Sequence, residues 1–260
     1  MTPDITVLCS LGRHPASDRP RAAIADARAL ALALSAGANV RAVHVGDPGA
    51  PGLRDYLGQT AARRSLDGLD VVEVAAGRDI RPALIAYLRA QRPGVIFTGT
   101  RAEDGEGSGM LAYDLAAALG HTLVPAIDTL SGTTDGRFEL TQVLPRGRRR
   151  VLAVGPPLIA TVDGASVPRP VFAQARARRG SIHTITRTVD CPEIEGPIVR
   201  PARARPKRIR APCGGSAADR LRAASETQAG QGQLMVDPDA EDAARAIADY
   251  LRSEGLLRRR

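Results

Sequence analysis

The sequence predicts an α/β protein: a doubly wound parallel sheet with antiparallel strands added, followed by an extended arm and a terminal helix. Three observations carry this. From residue 4 to about 120, short Val/Ile-rich runs alternate with Ala/Leu-rich stretches of ten or more residues, the pattern of strands joined by crossover helices in a Rossmann-like sheet. After His121 the helical stretches stop, and strand-like runs follow one another. From 191 to 216 the chain is dense in Pro and Arg and shows neither period, and a compact domain rarely holds so long an irregular loop.

Taken in order, ITVLCS (5–10) reads as a buried strand. PRAAIADARALALALSAG (20–37) reads as a helix ended by Gly37. NVRAVHVG (39–46) is a strand, LRDYLGQTAARRSL (53–66) a helix and LDVVEVA (69–75) a strand. RPALIAYLRAQ (81–91) is a helix, with Pro82 suited to its first turn. GVIFTG (94–99) is a strand, and residues 107–119 form a helix. The runs VPAIDTLSG, RFELTQVL (137–144), RRRVLAVG (148–155) and PLIATVDG (157–164) supply the added strands, with 135–137 (DGR) as a hairpin turn. We divide the chain into an α/β domain (1–190), a Pro/Arg-rich arm (191–236) and a terminal helix (237–260). In that helix Asp237 is the expected cap, Pro238 the first residue and Gly255 the end, with Ala244, Ile247, Ala248 and Leu251 on one apolar stripe.

A chain of 260 residues buries about three-quarters of its unfolded surface and needs no staples. With aromatics at 3% and no Trp, the core must come from Ala, Val, Leu and Ile. Cys9, Cys191 and Cys213 show no CxxC spacing and no His at metal-ligand spacing, so nothing suggests a disulfide framework or a zinc site. No charged leader and no 18-residue apolar span is present, so a cytoplasmic location is expected. The net charge of +8 is carried by arginine, Lys207 being the only lysine. Clusters at 146–150, 176–179 and 200–210 suit an acidic protein surface, a nucleic acid or a phosphate, or are solvated loops. Nucleic-acid binding is disfavoured, because neither aromatic interleaving nor a basic recognition helix accompanies the charge.

The stretch TGTRAEDGEGSGMLAYDLAAALG (98–120) carries the chemistry. Glycines 105, 107 and 109 with Ser108 lie between a strand's carboxyl end and a helix, the usual ligand crevice of an open α/β sheet. Amides of Gly107, Ser108 and Gly109 could face a phosphate at the positive end of the helix. The other reading is an ordinary loop in which Ser108 caps the helix.

The order of these features resembles the beta subunit of electron transfer flavoproteins, the family that includes the FixA-type subunits. The resemblance covers residues 4–182 and the terminal helix. It rests on the IADARALALAL helix, on GVIFTGTRAEDGEGSG (94–109), on PPLIATVDG (156–164) with PRP (168–170), and on RARR (176–179). It implies an adenine-nucleotide alpha-hydrolase-like domain that is not an enzyme alone. It implies pairing with an alpha subunit, with which FAD is held, and a structural AMP in this subunit. Electrons would come from a flavin-dependent dehydrogenase and pass to a membrane-side quinone oxidoreductase. Nucleotide contacts are expected at Cys9, Val45, Gly46, Gly99, Thr100, Arg101, Asp104, Gly107, Ser108, Gly109 and Met110. The loop facing a partner dehydrogenase is expected at 168–179, with Phe172 and Val171 as apolar anchors beside Arg176, Arg178 and Arg179.

Two departures mark a divergent member. Family residues Asn, Gln and Thr near the helix start are replaced by Ser108, Gly109 and Met110, and the acidic run keeps Asp104 and Glu106, which would repel a phosphate unless they face a ribose, an amide or an arginine. The family's hairpin after the first strand is expected to be missing, since SLGRHPASDRPRAA (10–23) is short and lacks Asn-Pro. The rival reading is a universal-stress-type ATP- or AMP-binding regulator, which needs neither the antiparallel strands nor the arm.

Overall fold

The computed structural model describes residues 4–105, 107–132, 135–163, 167, 170–186, 188–194, 200–203, 216–218, 221, 234–253 and 257. It divides into two compact units, Met1–Pro197 and Ile198–Arg260. The first holds β1 (Asp4–Leu8), β2 (Leu11–Arg13), β3 (Pro20–Ala22), α1 (Ile24–Ser35), β4 (Asn39–Gly46), α2 (Leu53–Leu57), β5 (Gln59–Ala61), β6 (Arg64–Ser65) and β7 (Gly68–Glu73). There follow α3 (Arg81–Gln91), β8 (Val95–Gly99), α4 (Leu111–Leu119), β9 (Thr122–Gly132), β10 (Phe138–Val143), β11 (Arg149–Val154), β12 (Leu158–Val162), β13 (Val171–Phe172), α5 (Gln174–Arg179) and β14 (Ser181–Ile185). The second unit holds α6 (Ala240–Ser253).

Nine strands form one sheet in the order β11-β10-β9-β12-β8-β1-β4-β7-β14. Its run from β9 to β14 is parallel, while β10 pairs antiparallel with both β9 and β11. The expected antiparallel addition is therefore confined to β10 and its partners. The fourth expected strand of that set, β12, inserts parallel between β8 and β9, because its continuous apolar run LIATV is buried throughout.

Alternation along the strands splits the core between two faces. Ile5, Val7, Val95, Phe97, Leu69 and Val71 pack with Leu30, Ala33, Leu34 and Tyr56 on the α1–α2 side. Val43, Val45, Ile96, Val72 and Ile159 pack with Leu84, Tyr87, Leu88 and Leu115 on the α3–α4 side. Helix α1 is buried at eight of its residues, which is why it reads as apolar on nearly every side.

Four sequence expectations are corrected. The hairpin thought missing is present: β2 pairs antiparallel with β3 in register Leu11↔Ala22. It also delays the start of α1 to Ile24. The helix expected over 53–66 ends at Leu57 (Gly58 is its C-cap), and residues 59–65 instead form the small antiparallel pair β5–β6. The helix expected from 107 starts at Leu111, since Gly107 and Gly109 sit at positive φ. Asp237, at φ 50, is not the cap of α6; the Asp239 carboxylate accepts the amides of Glu241 and Asp242 at 2.9 and 2.8 Å. Gly255 and most of the arm lie outside the described residues. The arm's start is held: Asp79 N–H donates to the Pro192 carbonyl and Ile194 N–H to that of Gly77, each at 2.8 Å.

Candidate functional site

Strand β1 continues through α1 to β4 on one side, whereas β8 continues through α4 toward β9 on the other. The strand order therefore reverses between β1 and β8, and the carboxyl ends at such a switch point are where an open α/β sheet forms its ligand crevice. Two loops flank it: the β2–β3 hairpin after β1, and Thr100–Met110 after β8.

The floor of this crevice is built by Asp26, in the first turn of α1 and only 3% exposed. Its Oδ2 accepts the Ser10 amide at 2.7 Å and the Ser10 hydroxyl at 2.5 Å; its Oδ1 accepts the Gly99 amide at 2.7 Å. One carboxylate thus ties the ends of both flanking strands to one helix. Gly99 must lack a side chain, since a Cβ there would lie 2.6 Å from both Ala25 Cβ and Asp26 Oδ1. Tyr56 completes the frame, donating to the Ser10 carbonyl at 2.5 Å and accepting the Ala23 amide at 3.1 Å. Burial pushes the Asp26 carboxyl above its ordinary range, against the hydrogen bonds from Ser10 and Gly99. Burial likewise raises the Tyr56 hydroxyl and the Cys9 thiol, with Asp26 adding to both.

The residues expected at the nucleotide site divide into two sets. Cys9, Val45, Gly46 and Gly99 stand at the carboxyl ends of the adjacent strands β1, β4 and β8. Cys9 is buried and takes part through its backbone, donating to the Val43 carbonyl while its own carbonyl contacts His44 Nδ1, each at 2.8 Å. The side chain of Val45 points into the core of the α3–α4 face rather than toward a ligand.

The second set is the glycine loop. Asp104 Oδ1 accepts the Gly105 amide at 2.8 Å, and its Oδ2 lies 3.5 Å from Arg13 Nε. Its charge thus faces an amide and an arginine, the arrangement that removes the expected repulsion. Glu106 lies outside the described residues. Ser108 Oγ accepts the Met110 amide at 3.1 Å, a local turn that ends at the N-cap residue Met110, so Ser108 does not itself cap α4. The amides of Gly107, Gly109, Leu111 and Ala112 have no acceptor among the described residues, and the exposed guanidinium of Arg101 has no partner there either. The start of α1 is the reverse case. Glu103 accepts the Ile24 amide at 2.5 Å, Tyr56 takes Ala23 and Asp55 takes Ala22 at 3.3 Å.

Sequence reasoning missed Ser10, Asp26, Tyr56 and Glu103. A signal existed for one of them: Asp26 is the only acidic residue in an otherwise Ala/Leu helix.

A family model described as the electron transfer flavoprotein domain matches residues 16–190, which include Asp26, the glycine loop and the basic stretch beyond β13 but not β1 or Ser10. The chain belongs to the electron transfer flavoprotein family. A relative from Chromohalobacter salexigens, named electron transfer flavoprotein subunit beta, is 41% identical over 267 aligned positions, covering 99% of this chain and 98% of that protein. No helix among the described residues is long and apolar enough to cross a membrane.

Within this family member, the stretch expected to face a partner forms a separate surface. Pro168 and Arg169 lie outside the described residues. Val171 and Phe172 form β13, paired with β5, and both are exposed, at 69% and 48%. The Phe172 ring packs against Gly58, where a Cβ would be 2.3 Å from ring carbon Cε2. Arg176 donates to Ser65 Oγ, while Arg178 and Arg179 are exposed with no acidic partner among the described residues. Arg54 pins the end of α5 by donating to the carbonyls of Ala177, Arg178 and Gly180. Gly180 leads directly into β14, whose Ser181 pairs with Gly68 at the start of β7. The basic turn therefore lies toward the amino ends of the strands, away from the crevice.

Proposed function

We propose that this chain is the beta subunit of a heterodimeric electron transfer flavoprotein, and that its crevice holds an AMP as a structural element. In this reading it pairs with an alpha subunit, with which FAD is held, and it is not catalytic alone. It relays electrons from a flavin-dependent dehydrogenase toward a membrane-side quinone oxidoreductase. FAD supplies the redox chemistry when bound; the residues of this chain hold the nucleotide and present the docking surface.

The observation that carries the nucleotide assignment is the contrast between two helix starts. The amides opening α1 are taken by the protein's own Glu103, Tyr56 and Asp55. Those around α4, at Gly107, Gly109, Leu111 and Ala112, have no acceptor among the described residues, and the nearby Arg101 has no partner there either. Open amides at a helix start with a free guanidinium suit one phosphate group. The docking role rests on Phe172, half exposed on its glycine platform, with Arg178 and Arg179 close by in sequence. An aromatic anchor ringed by cations gives orientation and fast encounter with an acidic partner.

The test is coexpression with an alpha-type subunit and mass spectrometry of the ligands released from the purified product. A yellow heterodimer releasing FAD and AMP is expected. A colourless monomer, or one releasing ATP, overturns the assignment.

A further inference from the structure

We infer that Glu103 is the positioning residue of the crevice, and that its ion pair with Arg21 latches the glycine loop to the β2–β3 hairpin. The inference rests on the reading of the crevice as a nucleotide site. The loop leaves β8 and the hairpin leaves β1, so they stand on opposite sides of the switch point. Two carboxylates of the loop reach across it, and the better covered of them is Glu103. Glu103 Oε2 lies 2.7 Å from Arg21 Nη2, and Oε1 lies 3.4 Å from Nη1. The same Oε1 accepts the Ile24 amide at the start of α1. The hairpin is shaped to receive it: a Cβ on Gly12 would fall 2.4 Å from Glu103 Oε2. Hairpin, helix start and glycine loop therefore meet on a single side chain.

Burial separates this pair from its neighbour. The Glu103 and Arg21 side chains are 26% and 21% exposed. Asp104 and Arg13, one residue along the loop, stand 3.5 Å apart at 60% and 53% exposure. Water and salt screen the outer pair, so it adds little. The inner pair is a bidentate, charge-assisted contact with much of its surface covered, the stronger kind. A ligand that enters between the two loops can exchange only when they part, and Glu103–Arg21 is the stronger of the two ion pairs they must break. The latch therefore sets the exchange rate of the nucleotide and holds the open amides of Gly107 and Gly109 in place for it.

The test uses the full-length chain with its alpha-type partner, loaded with a fluorescent AMP analogue and chased with AMP at low and high salt. Glu103→Gln keeps an acceptor for the Ile24 amide but removes the charge. Release is expected about tenfold faster than in wild type, with its salt dependence lost and the melting temperature little changed. Arg21→Gln should match it, the double variant should add nothing further, and Arg21→Lys should restore slow, salt-sensitive release in part. Unchanged release in Glu103→Gln overturns the latch while leaving the nucleotide site standing. Faster release with intact salt dependence and a matching fall in melting temperature also overturns it, since that is general loosening. A wild-type complex that binds no AMP removes the nucleotide reading itself, and the latch with it.

Discussion

Asp26→Ala tests the frame of the crevice most directly. The substitution leaves the amides of Ser10 and Gly99 without their acceptor beneath a buried helix. Two orphaned donors at about 1–3 kcal/mol each set a gross cost of about 2–6 kcal/mol. Removing a buried carboxylate returns part of that, since its own desolvation is unfavourable. A net loss of about 3 kcal/mol follows, taken near the middle of that span. For a domain of this size it lowers the melting temperature by about 6–12 °C. The pH dependence gives a sharper check. Burial raises the folded-state Asp26 carboxyl above its ordinary range. Its contribution is therefore fully present below the unfolded pKa of about 4, and is lost as pH rises through the folded value. Asp26→Asn does not titrate, so the stability gap between wild type and Asp26→Asn should be widest near about pH 4 and narrow toward about pH 7. Urea melts of both proteins across that range measure it. A gap that widens with rising pH would show that the Ser10 and Gly99 donors outweigh burial and hold the carboxyl below its ordinary range.

Gly99→Ala drives a methyl into Ala25 and Asp26 and should cost about 1–3 kcal/mol, read as an earlier denaturant midpoint with an unchanged slope. Asp239→Ala removes the acceptor for the Glu241 and Asp242 amides and should cost α6 about 1 kcal/mol, seen as lost helical circular dichroism. Phe172→Ala should slow electron delivery from the dehydrogenase while leaving flavin content unchanged; an equal loss of both would mean the ring supports the fold rather than the encounter.

Strands β1, β4, β7 and β8 were legible because each centres on a short Val/Ile/Leu-rich run, and α3 because it carries Pro82 at its start; the edge strand β14 (SIHTI), exposed along one side, gave no such run. The segment 53–66 was not. Its apolar residues Leu53, Tyr56 and Leu57 keep a helical spacing, but the chain then turns through Ala62 and Arg63, both at positive φ. That is a hairpin turn made without the Gly, Asn or Asp that announces one. The β2–β3 hairpin was hidden for a related reason. Its strands are three residues each, and its turn is organised by His14, whose Nδ1 accepts the amides of Ala16 and Ser17. The site was half legible. Glycines and strand ends can be read locally, so the Gly107–Gly109 loop stood out. The acceptors that build the crevice could not, because Asp26 meets Gly99 across 73 residues and Glu103 meets Ile24 across 79.

The acidic run beside a loop proposed to hold a phosphate looked contradictory as a sequence, and the fold shows where the charges of Glu103 and Asp104 go. Glu103 satisfies an amide of α1 and pairs with Arg21; Asp104 satisfies Gly105 and faces Arg13. Each carboxylate is matched by a cation from the hairpin and a backbone donor, so neither presents a bare charge to the crevice. Arg101, one residue after Thr100, is the cation on the loop with no partner among the described residues. An anion approaching this edge of the sheet therefore meets the positive end of α4 and a free guanidinium on one side, and neutralised carboxylates on the other. The departures from the family's Asn, Gln and Thr pattern remove side-chain donors, but the backbone amides that replace them depend on loop shape alone. In this chain, binding should therefore respond more to substitutions that move the loop, at Glu103, Arg21 or Gly109, than to those that change Ser108 or Met110.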